Sequence, residues 1–284
     1  MKSLYLVILM DDRPLVSVII PTKNSSKTLA LCLDSIKNQD YKNIEIMVVD
    51  NYSTDDTIKI ANGYANKIYT FSPERSSQMN YGARKSSGKY IYRVDSDFVL
   101  EPQIISEAVN LAESNSYAAI IIHNSSDPTV SFWAKVRKFE RDMYQSDDLN
   151  IAVRFIRRDV FLSVGGFDTR LVYGEDYDLH NRIIAEYEVG RINAKELHLG
   201  EYKSIKDVAK VYFYYGQNTA LFLKKNKLRG FRQISPIRKG YLKHYREFLR
   251  HPYMATGFIV YQIVRYSSGF IGMLVEKINH QPDV

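Results

Sequence analysis

Tyr90-Ile-Tyr-Arg-Val-Asp-Ser-Asp-Phe-Val99 carries an aromatic and β-branched run into two carboxylates, Asp95 and Asp97. Tyr90, Ile91, Tyr92 and Val94 are residue types of a buried strand, and Ser96 and Phe98 flank the acids as the chain leaves it. In a strand residues i and i+2 share a face, so the two acids are expected to aim at one point. Adjacent carboxylates repel unless a cation lies between them, and a hard divalent ion with oxygen ligands, Mg²⁺ or Mn²⁺, suits that place. The competing reading is a plain loop in which Asp97 caps a turn before Glu101-Pro102.

The same alternation continues on the N-terminal side. Leu15-Val-Ser-Val-Ile-Ile20 reads as a buried parallel strand ended by Pro21, with Pro21-Thr-Lys-Asn24 as the loop at its carboxyl edge. A helix over 28–38 follows, with Leu29, Leu31, Leu33 and Ile36 facing the sheet. Ile44 to Asp50 is the second strand, leading through Asn51-Tyr-Ser-Thr-Asp-Asp-Thr57 into a second helix. Asp50 thus stands where a ribose or base is recognised, or else simply opens a turn that Asp55 or Asp56 caps. Lys67 to Phe71 is a third strand. Arg75, Gln78 and Asn80 precede a small-residue helix over 81–87, where donors and the helix dipole favour an anion, and Gly88 ends it. The first hundred residues therefore predict βαβαβαβ, a right-handed parallel sheet with a ligand at its carboxyl edge.

Beyond Asp97 the pattern predicts a helix over 101–114, a strand over 118–123, a helix over 131–145 and a strand over 151–156. Arg154 and Arg182 are each open to two readings, a phosphate contact or a structural ion pair. Glu175 and Asp176 precede a helical stretch, where acids suit a first turn and a helix start mounts a catalytic acid rigidly.

Taken in order, Pro21-Thr22, Asp50 with Ser53-Thr-Asp-Asp-Thr57, Arg75 to Asn80, Asp95-Ser-Asp97, Gly165-Gly-Phe-Asp168 and Gly174-Glu-Asp-Tyr-Asp-Leu179 resemble the motif set of glycosyltransferase family 2 over roughly 15–201. The resemblance implies an α/β GT-A fold: a mixed, mainly parallel sheet flanked by helices. It also implies an inverting transferase that takes a nucleotide-diphosphate sugar and needs Mn²⁺ or Mg²⁺. Carried over, Pro21, Thr22 and Asp50 hold the nucleoside, and Arg75, Gln78 and Asn80 line the nucleotide-sugar site. Asp95 and Asp97 serve ribose and metal, Asp176 of the Glu175-Asp176 pair is the base, and His198 completes the metal site. His198 also reads as an ordinary structural histidine. The acid pair favours a hydroxyl acceptor, since a phosphate needs no base. The family's processive synthases carry Gln-x-x-Arg-Trp; the only tryptophan here is Trp133, which implies one sugar per encounter.

With 284 residues, 45% of them hydrophobic, the chain can bury a large core. Its single cysteine, Cys32, excludes an internal disulfide and points to a reducing compartment. Met1 to Met10 is too short an apolar run to span a bilayer and lacks a signal-peptide cleavage pattern, so 1–13 is read as a lead-in before a catalytic domain over 14–205. The net charge of +7 is local: ten Lys/Arg against Glu247 in 224–250 leave that segment at +9 and the remainder at −2. Residues 206–284 are therefore expected to form a basic, aromatic helical extension, with one helix over 208–223 and one or two apolar helices over 253–275. Gln262 and Arg265 make a bilayer span costly, so these helices are expected to lie on an anionic membrane surface, at the cytoplasmic face; the competing reading is packing on the domain. No nucleic-acid motif accompanies the charge. The acceptor is thus expected to be a glycan or lipid-linked glycan. A polyprenyl-phosphate acceptor and a non-catalytic sugar-nucleotide or glycan-binding protein are the alternatives.

Overall fold

A computed structural model describes residues 13–145, 147 and 149–279; the lead-in over 1–12 lies outside them. The sheet begins with β1 (Val16–Thr22), β2 (Ile44–Asp50), β3 (Lys67–Thr70) and β4 (Tyr90–Arg93), joined by α1 (Leu29–Lys37), α2 (Thr57–Asn62) and α3 (Arg75–Lys85). These four strands run parallel in the order β3-β2-β1-β4, as the alternation of buried runs and amphipathic helices predicts. After β4 come β5 (Phe98–Leu100), α4 (Ile104–Asn115), β6 (Ala119–Ser126), α5 (Phe132–Asp142), β7 (Val153–Arg157), α6 (Arg158–Ser163), α7 (Glu175–Ile184) and β8 (Val189–His198). β7 inserts antiparallel between β4 and β6, and β8 lies parallel to β6, so the full order is β3-β2-β1-β4-β7-β6-β8-β5. Apolar cores fill both faces, one including Val18, Leu33, Ile104 and Phe155 and the other Ile19, Met79, Ile156 and Leu179.

Several local expectations are corrected. β1 does not stop before Pro21 but continues through Thr22, with Pro21 opposite Val49 and Thr22 opposite Asp50. Its other neighbour, β4, pairs only as far as Ile19, so at Pro21 that side of β1 needs no backbone donor. In α1 the buried positions are Leu29, Cys32, Leu33 and Ile36, at i, i+3, i+4 and i+7, while Leu31 is exposed. α3 starts at Arg75 rather than near Tyr81, which puts Arg75, Gln78 and Asn80 on one helix. It ends at Lys85, so Gly88 is not its terminator. Gly88 instead packs where a Cβ would meet Ser17 Oγ at 2.5 Å.

The C-terminal region forms α8 (Ile205–Gln217), α9 (Thr219–Ile234, kinked at Lys227), α10 (Lys239–Lys243), α11 (Tyr245–Arg250) and α12 (Pro252–Asn279). The single helix expected over 208–223 is broken at Asn218, between α8 and α9. Of the one or two helices expected over 253–275, the structure has one, the 28-residue α12, and Ser267-Ser-Gly269 does not interrupt it. Those small residues are a crossing point rather than a break: a Cβ on Gly216 of α8 would collide with the Gly269 carbonyl, and one on Gly272 with that of Phe213. By length and composition α12 is long and apolar enough to cross a membrane. Its inner face buries Phe258, Tyr261 and Arg265 against the domain, while Ile259, Ile263, Phe270, Ile271 and Leu274 remain exposed.

Candidate active site

β4 ends at Arg93, so Asp95 and Asp97 lie in a turn, closed by the Phe98 amide donating to the Asp95 carbonyl at 3.1 Å. The strand rule that would aim them at one point does not operate there, and the two acids have different partners. Asp95 accepts from Arg75 at 2.9 Å and faces Arg154 at 3.4 Å. Asp97 faces His198 Nε2 at 3.2 Å. Burial pushes the Asp95 carboxyl up, but Arg75, Arg154 and Arg93 outweigh it and hold it well below the usual carboxylate range.

The acid pair opens α7 after Gly174, whose φ of 75° is the left-handed conformation and where a Cβ would meet the Phe222 ring. Asp176 is gripped by both Nη atoms of Arg93, with Nη2 to Oδ2 at 2.8 Å, and Arg75 lies 3.4 Å away. Arg75 also binds Glu175, so one guanidinium joins Asp95, Glu175 and Asp176. Burial raises the Glu175 carboxyl, helped by Asp176 beside it. Asp176 meets the same burial, but Arg93 and Arg75 pull it below its ordinary value, so it stays ionised.

The nucleoside expectations divide. Thr22 Oγ1 donates to Asp50 Oδ1 at 2.7 Å and the Ser53 amide to Asp50 Oδ2 at 2.8 Å, which fixes the carboxylate at the shared end of β1 and β2. Gln78 and Asn80 instead spend their amides on the scaffold. Gln78 is buried and donates to the carbonyls of Thr22 and Val49, and Asn80 exchanges hydrogen bonds with the Phe167 backbone. They brace the loops around the site, and Arg75 alone of the three faces the carboxylates. Arg182 is structural, bonded to Asp178 and the carbonyls of Val164 and Gly166. Arg154, just 3% exposed, pairs with Glu196 at 2.6 Å as well as with Asp95.

His198, at the end of β8, has Nδ1 2.7 Å from Glu201 and Nε2 turned to Asp97. A carboxylate on the far nitrogen is the usual way a ligating imidazole is oriented. Gly200 completes the cradle, since a Cβ there would collide with Asp97 Oδ2 and crowd His198 Nε2 at 3.1 Å. Among the described residues no group of three or more His, Cys, Asp or Glu side chains is arranged to hold an ion. Asp97 and His198 nonetheless offer a carboxylate and an oriented imidazole, donors that could serve a divalent ion such as Mn²⁺ if other ligands completed its sphere.

Arg75, Arg93, Asp95, Arg154, Glu175, Asp176 and His198 line one cavity of 350 Å³, while Pro21, Thr22, Asp50, Gln78, Asn80 and Asp97 are not among its lining residues. Its walls include residues that no motif announced: Arg137 from α5, Tyr212 and Tyr215 from α8, Arg238 before α10 and Arg265 from α12. Arg93 was overlooked too, although an arginine in an apolar strand run was a visible signal. The C-terminal helices are therefore part of the site's wall.

The sequence pattern described as Glycosyl transferase family 2 matches residues 17–163, just over half of the chain. An uncharacterized glycosyltransferase of Rickettsia typhi is 30% identical over 187 residues, which span 58% of this chain and 57% of that protein. One from Haemophilus influenzae is 23% identical over 61% of this chain and 63% of its own. The chain thus spans little more than half the length of these curated relatives. Among solved structures, a mannosyltransferase from Pyrobaculum calidifontis in complex with GDP-Man and Mn²⁺ superposes with a TM-score of 0.66 at 16% identity, over 95% of this chain and 88% of its own. S. aureus TarS 1-349 in complex with UDP-GlcNAc does so at 0.55 and 16% identity, over 94% and 92%. At such identities the likeness speaks for the fold, which is GT-A. Together with the matched pattern, it makes this chain a member of glycosyltransferase family 2.

Proposed function

We propose that the chain is an inverting, non-processive glycosyltransferase that moves a sugar from a nucleotide-diphosphate donor to a hydroxyl of a glycan or lipid-linked glycan. The observation that carries this reading is the gathering of Asp95, Glu175 and Asp176 around Arg75 at one cavity, with Asp97 and His198 beside it. Thr22 and Asp50 hold the nucleoside at the carboxyl edge of β1 and β2. Asp97 and His198 hold Mn²⁺ or Mg²⁺, which when bound neutralises charge on the departing diphosphate. A carboxylate accepts up to about four hydrogen bonds; Asp176 already takes three from arginines and has one place left for the acceptor hydroxyl. As that oxygen bonds to the anomeric carbon, Asp176 takes its proton. The carbon–diphosphate bond breaks on the opposite face, its electron pair leaves with the diphosphate, and the configuration inverts.

This scheme is tested by thermal shift against UDP-, GDP- and dTDP-sugars with Mn²⁺, Mg²⁺ or EDTA, because a ligand that binds only the native state raises its stability. One nucleotide is expected to give a metal-dependent rise that disappears in Asp97→Ala and in Gly200→Val, the latter filling the cradle without removing a ligand. A full rise in EDTA would end the metal-dependent scheme.

Residues 14–205 act as the catalytic unit and 206–284 as its extension at the cytoplasmic face of the membrane. Support comes from the exposed apolar ridge of α12 and from the exposed Leu228, Phe231, Ile237, Leu242 and Leu249 within the basic segment. The purified chain is expected to sediment with anionic vesicles more than with neutral ones, and salt should release part of it. Equal recovery with both would refute the electrostatic part of this assignment.

A further inference from the structure

The cavity has a second end, built by α5, α8, α12 and the segment before α10, where charges do not balance. Glu140 of α5 is fully buried and pairs with Arg137 and, at 2.9 Å, with Arg265. Arg238 adds its field to the same carboxylate. Three guanidiniums thus surround one carboxylate, a local charge of +2. Arg141, close by, is already matched by Glu201 at 2.8 Å.

Among the described residues Arg238 is the member without a carboxylate partner. It is 4% exposed and lines the cavity, yet among the described residues its only hydrogen bond runs from Nε to the Ser235 carbonyl at 3.3 Å. Its guanidinium lies over the Tyr144 ring at 4.9 Å, and no carboxylate among the described residues comes within ion-pair distance. The buried Nε of Arg137 also lacks a partner. A planar guanidinium held by stacking, with both Nη atoms unspent, is a fork for a tetrahedral oxyanion.

We propose that Arg238, with Arg265 and Arg137, binds a phosphate group of the acceptor, so that the acceptor is a phosphate-bearing molecule whose hydroxyl reaches Asp176 from this end. The proposal rests on the glycosyltransferase reading and specifies its acceptor. A phosphate monoester carries about −1.5 to −2 at neutral pH, which matches the +2 left around Glu140. Among the described residues neither Asp97 nor His198 pairs with Arg238 or Arg265; His198 is joined instead to Asp97 and Glu201. Ile237, next in sequence to Arg238, and Leu242 are both exposed, so a hydrocarbon chain on the phosphate would leave over apolar surface.

The test is calorimetric titration of the full chain in detergent, with UDP or GDP and Mn²⁺ saturating so that the donor end is filled. Inorganic phosphate, farnesyl phosphate and farnesol are the probes. The phosphate probes are expected to bind, and Arg238→Gln to weaken them by about ten- to a hundredfold, the usual worth of a charged hydrogen bond; Arg238→Lys should recover part of this. Farnesyl phosphate binding more tightly than inorganic phosphate identifies a lipid phosphate, and equal binding a soluble one. The subsite is overturned if neither phosphate probe binds, if Arg238→Gln binds them as wild type does, or if farnesol equals farnesyl phosphate. Should Arg238→Gln not fold, competition on the wild type decides: inorganic phosphate must displace farnesyl phosphate and leave the nucleotide bound. Nucleotide binding is read on the same sample. Its loss with phosphate binding intact counts against the transferase reading and leaves the subsite standing.

Discussion

Asp176→Asn is expected to lower kcat for transfer to a hydroxyl by about 10²–10⁴-fold, the range lost when a positioned general base is removed. Donor affinity should change little, because Asp176 is not in the pair, Asp97 and His198, proposed to hold the metal. The amide keeps the shape and still accepts a hydrogen bond from Arg93, so the loss reports the missing proton acceptor rather than a displaced α7. Glu175→Gln is expected to cost less, since Glu175 is more enclosed than Asp176 and its carboxyl is shifted toward the protonated form. Steady-state rates with saturating donor, together with the nucleotide-induced thermal shift of each variant, separate the possibilities. Transfer that survives Asp176→Asn would point to an acceptor already ionised as phosphate. No transfer in wild type, with the nucleotide still bound, would favour a binding protein on the same fold.

The second large effect is structural. Glu140 Oε1 accepts from Tyr144 at 2.5 Å, Tyr241 at 2.7 Å, Gln262 at 3.0 Å and Arg265 at 2.9 Å, and Arg137 binds Oε2. One carboxylate on α5 thereby ties α10 and α12 to the catalytic half. Removing one partner of a buried ion pair strands the remaining charges, so Glu140→Ala is expected to cost about 3–5 kcal/mol. At roughly 2–4 °C per kcal/mol for a domain of this size, melting should fall by about 6–20 °C. Burial pushes the Glu140 carboxyl up, but Arg137, Arg265 and Arg238 hold it well below the ordinary 4.5. Since the folded value lies below the unfolded one, this stabilisation is complete above about pH 4.5 and is lost as the pH falls toward the folded value. Glu140→Gln should therefore lower stability at neutral pH and flatten its decline in acid. A Glu140→Ala melting point within a degree or two of wild type would show that the network adds nothing to the fold.

How far the chain could be read in advance depended on the range of the interactions involved. Local patterns sufficed for β1, β2 and β4, because a parallel strand buried on both faces must be a continuous apolar run and its helix must carry an apolar stripe. They also picked out Asp95, Glu175 and Asp176, which the fold gathers around Arg75, since acids near strand ends and helix starts stand out in sequence. They misplaced the start of α3, because Arg75, Ser76 and Gln78 are polar yet enter the helix, with Ser76 and Gln78 buried; Gln78 is bound to the carbonyls of β1 and β2, which only the assembled sheet presents.

What the sequence by itself determined is therefore the parallel α/β half and the acids that stand at its loops and helix starts. Only the tertiary structure decided which of those residues meet, and what walls them in. Arg93 and Asp176 are 83 positions apart, Arg75 and Glu175 100, and Glu140 and Arg265 125. Such pairs leave no periodic trace, because each is formed by the packing of whole elements. The same holds for the tail: the arginine in α12 that counted against a bilayer span is a residue that ties the helix to the domain, because the compensating carboxylate stands on α5.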